Sequence, residues 1–74
     1  NMSLHPLSEA ETSDLRALLH ELQIEHRDLD LVISHLAEIP PPDDLLVRRL
    51  KKRKLLQKDR ILQLEEMLVP DIPA

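Results

Sequence analysis

Three consecutive prolines, Pro40, Pro41 and Pro42, separate two stretches that each carry aliphatic residues three or four positions apart. Proline has no N–H to give to a helix and pushes the residue before it out of the helical region. Ile39 is therefore the natural end of a first helix, and Val69, before Pro70, the natural end of a second. So short a connection leaves the two helices little choice but to lie antiparallel, side by side.

The start signals agree. Ser8 and Glu11 have the spacing of a capping box, which opens helix 1 at about Glu9. Asp43 and Asp44 fall in the first turn of helix 2, where unpaired N–H groups favour negative charge, and Pro42 suits the first helical position. The expected organisation is a disordered segment over 1–7, a helical hairpin over 8–69 and a disordered tail over 70–74. Within the hairpin, helix 1 runs over about 9–39, the proline turn over 40–42 and helix 2 over about 43–69. Each helix is roughly 40–45 Å long.

Periodicity sets the register. In helix 1, Leu15, Leu22, Leu29 and Leu36 recur every seven residues, with Leu18 or Leu19 and Val32 or Ile33 between them. In helix 2 the series is Val47, Leu50, Lys54, Gln57, Ile61, Leu64 and Leu68. Both have the alternating three-and-four spacing of a coiled coil. Folding about Pro41–Pro42 pairs Leu36 with Val47, Ile33 with Leu50, Leu29 with Lys54, His26 with Gln57, Leu22 with Ile61, Leu19 with Leu64 and Leu15 with Leu68. The residue numbers of every pair sum to 83. Two stripes read separately thus share one register, and the fold class follows as all-α, an antiparallel coiled-coil-like two-helix hairpin.

A second stripe, Ala17, Ile24 and Leu31 on helix 1 and Leu55, Leu62 and Val69 on helix 2, lies away from this seam. Helices apolar on two faces are usually buried on two faces. A hairpin of this size also has a thin core, since a buried Leu contributes only about 1.5–3 kcal/mol against comparable ordering costs. Self-association is expected, most simply as a dimer of hairpins that forms a helical bundle.

Composition closes off several functions. The 74 residues contain no Cys, no Gly and no aromatic residue. Disulfides, thiolate metal sites, glycine-rich phosphate loops and aromatic platforms for bases are therefore absent. No apolar run approaches the ~20 residues of a membrane span. The N-terminal residues lack the basic and apolar regions of a signal peptide, so a cytoplasmic location is expected.

Two central motifs carry a resemblance. Glu25-His26-Arg27-Asp28-Leu29-Asp30-Leu31-Val32-Ile33 matches H-x-x-L-D-x-x-I. The stretch from Arg49 to Ile61 (RLKKRKLLQKDRI) matches R-L-K-K-x-K-L-x-x-K-D-x-I. In this order, across a turn, the chain resembles the YdcH-like family of small bacterial proteins over roughly Leu19 to Leu64. The resemblance implies a short helical hairpin, a bacterial source and no established biochemical role. Two positions depart from the family pattern: Gln23, where members often have an aromatic, and Gln57, where they often have Leu.

Charge is sharply partitioned. The thirteen residues from Arg48 to Arg60 hold eight of the ten Lys and Arg and carry +7, whereas residues 1–47 carry −8 and the remainder −3. Helix 1 offers Glu21, Glu25, Asp28, Asp30 and Glu38 alongside this run. The expected use of the bases is cross-helix pairing that specifies partner and orientation. Lys54 is expected to lay its alkyl stem on Leu29 and its ammonium on Asp30 or Glu25. Outward bases such as Lys51, Lys52 and Arg53 leave room for a nucleic acid or other polyanion, as a secondary reading.

His26 and Gln57 form an expected polar layer in the seam, structural in role, with Lys54 next to it. His20, His26 and His35 point to three sides of helix 1, and no two histidines have the i, i+4 spacing of a helical zinc site, so no metal or cofactor is expected. The carboxylates read as a solvated face, and a two-helix hairpin offers no cleft to shift their pKa values, so no enzymatic activity is expected. An unidentified protein partner completes the expectation.

Overall fold

The computed structural model describes residues 6–69, which form two α-helices: α1, Glu9–Glu38, and α2, Asp44–Leu68. The segments expected to be disordered lie largely outside these residues, at 1–5 and 70–74. The described residues contain no β-strand, and α1 packs along α2 as an antiparallel hairpin. Neither helix is long and apolar enough to cross a membrane.

Local chemistry accounts for each boundary. Ser8 caps α1: its Oγ accepts from the Glu11 N–H at 3.1 Å, and the Glu11 carboxylate accepts from the Ser8 N–H at 2.9 Å. Both halves of the capping box are thus present. Leu7 and Thr12 are partly withdrawn from solvent, at the spacing of a hydrophobic staple. The start of α2 differs from expectation by one residue. Asp43 is the N-cap, accepting from the Leu46 N–H at 3.0 Å, so Pro42 stands just outside the helix. An aspartate bonded to an orphan N–H is among the best caps available, and that bond holds the start of α2 one residue later.

The helix ends show how a chain without glycine turns a corner. Many helices end on a left-handed residue, usually Gly. Here no described residue has a positive φ. Ile39 instead turns extended (φ −94°, ψ 113°), as the residue before a proline must. Val69, before Pro70, does the same (φ −72°, ψ 123°). Pro40–Pro41 is a cis peptide bond within the turn.

The seam follows the expected register. All fourteen residues of the two stripes are buried or half-buried. Among the described residues the fully buried ones are Ile33, Ile61 and Leu64, at 7%, 3% and 7% exposure. In the expected register they belong to the layers Ile33–Leu50, Leu22–Ile61 and Leu19–Leu64, and the Lys54–Asp30 bond, beside Leu29, accords with that register. Buried aliphatic side chains drive the pairing, but only three reach full burial, because two rods in contact can hide just one stripe each. The far-side stripe is left bare, with Leu31 64% and Leu55 68% exposed.

Candidate functional site

At mid-seam the aliphatic layers give way to polar ones. His26 and Gln57 are each half-buried at facing positions, one layer from Leu29 and Lys54. Nδ1 of His26 and Oε1 of Gln57 are both buried without a hydrogen-bond partner among the described residues. A neutral imidazole can carry its proton on Nδ1 and donate, so the layer has the chemistry for one cross-helix bond. Left unbonded, each buried polar atom costs about 1–3 kcal/mol. The layer therefore opposes stability where a Leu pair would add to it, the behaviour of a residue kept for register.

Lys54 resolves the next layer. It is half-buried in the seam and donates from Nζ to Asp30 Oδ1, forming both a hydrogen bond and an ion pair. Of the two acids in reach, Asp30 and not Glu25 is the partner. The Lys54 hydrogen bond holds the Asp30 carboxyl below its ordinary value of 3.8. Partial desolvation works against this, while Coulombic attraction from Lys54 and His26 adds to it.

The rest of the basic run corrects the sequence expectation. Arg48, Arg49, Lys51, Lys52, Arg53, Lys58 and Arg60 are all exposed, and none lies within ion-pair distance of an acid among the described residues. Glu21, Glu25, Asp28 and Glu38 are likewise unpaired with the run. Helical geometry is the reason. At 100° per residue, consecutive bases fan around α2, and only one in a seam position reaches across it. Lys51, Lys52 and Arg53, the bases considered for an anion, accordingly point in three directions and do not converge. Among the described residues no cluster of His, Asp and Glu could hold a metal ion.

Burial missed by the sequence reading is minor: Leu7, Thr12, Leu46 and Glu65 join the half-buried set. More consequential are exposed apolar residues close to the seam, namely Leu18, Val32, Ile39, Leu56 and Met67. Their signal was present in the heptads, at the positions that flank the seam rather than opposite it.

Two predictions follow from this layer. Replacing His26 and Gln57 together by Leu raises the thermal midpoint of unfolding, because both unsatisfied atoms disappear and apolar contact is gained. Either single replacement raises it less; a double variant that melts below the wild type contradicts the assignment. The second concerns acid. The folded-state pKa of Asp30 lies below the unfolded one, so its contribution is present above 3.8 and lost as pH falls through the folded value. Asp30→Asn should therefore lower the urea midpoint at neutral pH, and the gap from wild type should close in acid. An equal gap at both pH values contradicts it.

Comparison with curated proteins and with solved structures gives no match. A family model does match, over residues 19–65, which takes in the seam from Leu19 to Leu64, the proline turn and both central motifs. The chain belongs to the family described as Protein of unknown function (DUF465).

Proposed function

We propose that this chain is a non-enzymatic, self-associating helical hairpin that serves as a cytoplasmic protein-interaction or structural module. The observation that carries this reading is the imbalance of its apolar residues. Among the described residues three hydrophobic ones are buried, while eleven large ones are exposed. Scattered exposed leucines are ordinary, but contiguous apolar surface on a thin rod marks an interaction site. Small domains with so little core commonly gain stability by oligomerising. The motifs around His26 and between Arg49 and Ile61 support the narrower YdcH-like assignment within the family. The polar layer of His26, Gln57 and Lys54 acts here as a register device, since a buried polar position fixes partner and alignment in helical assemblies.

One observation favours a second reading. Seven bases of the run stand exposed and unpaired among the described residues, which suits an accessory module for nucleic acid or another polyanion. Their spread around α2 argues against a single binding face, and this reading stays second.

Salt separates the two. Sedimentation velocity at micromolar concentration should show a species larger than the monomer that persists from low to moderate salt. Retention on an anionic resin should be weak even at low salt. A chain that sediments as a monomer and binds the resin with an affinity falling by about 10³-fold or more between low and moderate salt, as counterion release requires, favours the polyanion reading instead.

A further inference from the structure

The two flanks of the hairpin seam differ in kind. On one flank the residues beside the seam are Arg16, Gln23, Asp30 and Ala37 from α1 and Asp44, Lys51, Lys58 and Glu65 from α2. The Lys54–Asp30 pair lies on this flank. It is polar and well solvated. On the other flank the equivalent positions bring together Leu18 with Met67, Glu25 with Arg60, Val32 with Arg53, and Ile39 with Leu46; the residue numbers of each pair sum to 85. Leu56 stands at its outer edge. Met67 and Ile39, at its two ends, are 53% and 45% exposed, so this surface is apolar at both ends and open.

We infer that the flank bearing Leu18, Glu25, Val32, Ile39, Arg53, Arg60 and Met67 is where a second copy of the chain docks; the inference rests on the self-association reading. The far-side stripes do not serve. At 100° per residue Ile24 and Leu31 point almost directly away from α2, while Leu55 and Leu62 point outward from α2, so no single hairpin covers both. The flank is one continuous surface. From Leu18 to Ile39 it is about 32 Å long and the hairpin's cross-section is 22 × 20 Å, so it offers on the order of 650 Å², the lower end of one partner's share of a standard interface.

Charge selects the arrangement. With the turns of both copies at the same end, α1 of each copy lies over α2 of the other and the four layers repeat across the interface. Glu25 then meets Arg60 of the second copy, and the reverse, giving a ring of alternating charge at mid-length. Asp28, exposed at the outer edge of α1, comes between the levels of the second copy's Arg53 and Arg60. With the turns at opposite ends, Arg53 would lie over Arg60, and like charges so placed oppose docking. Exposed Glu25 and Arg60, which pair with nothing inside their own hairpin, acquire partners only in the first arrangement.

The test uses complementary charge reversals. Glu25→Arg alone gathers four arginines at the ring, and Arg60→Glu alone gathers four glutamates. Each should weaken self-association by about tenfold or more while leaving helical circular dichroism unchanged, since both residues are exposed. An equimolar mixture should sediment as a heterodimer, because each copy then supplies what the other lacks. Val32→Lys should likewise yield monomer, and Leu31→Lys, on the far side, should behave as wild type. If the wild type is dimeric but the mixture gains nothing over its components, or Leu31→Lys dissociates it and Val32→Lys does not, the docking surface is wrong and self-association stands. A monomeric wild type overturns both.

Discussion

The register between α1 and α2 governs everything else in this molecule. Seven layers from Leu36–Val47 at the turn to Leu15–Leu68 at the open end set which side chains meet, and the short proline turn keeps the two helices antiparallel neighbours. A slip of one heptad would bring Gln57 against Leu19 or Ile33, part Lys54 from Asp30 and remove Ile61 from its place beside Leu22. The polar layers at His26–Gln57 and Lys54–Asp30 make such a slip costly. Gln57 Oε1 finds no hydrogen-bond partner among the described residues, a local cost of the kind that buried polar positions carry where they fix an alignment.

That alignment also determines which surfaces are left for other molecules. Two helices in contact hide one stripe apiece, and among the described residues full burial reaches only Ile33, Ile61 and Leu64. The remaining aliphatic surface is divided between a flank of the seam and the far sides of the helices. The opposite flank is charged and carries the cross-helix bond that structures the hairpin. A rod with one flank apolar at its ends and the other charged throughout has a defined sidedness, which is what an assembly of a small fixed number of copies requires and an open aggregate does not.

Much of the fold was legible in the residues. The proline triplet, the Ser8–Glu11 capping box and the heptads each specify a local feature, and they agree. Lys54 was placed against Asp30 or Glu25 from its seam position alone, and the choice of Asp30 needed side-chain geometry. Two things were not legible. A charge count cannot tell which bases of a helical run reach a neighbour, because that depends on their angles around the axis; seven of the eight in the run do not. Asp43 acts as the cap of α2 instead of joining its first turn, because the one strong bond from its carboxylate to the Leu46 N–H outweighs the general preference for proline at a first helical position.

Methyl–methyl nuclear Overhauser contacts between α1 and α2 test the register most directly. The account predicts cross-peaks between Leu36 and Val47, Leu22 and Ile61, Leu19 and Leu64, and Leu15 and Leu68. Contacts displaced by a heptad, such as Leu22 to Leu68 or Leu29 to Ile61, in place of these would contradict it.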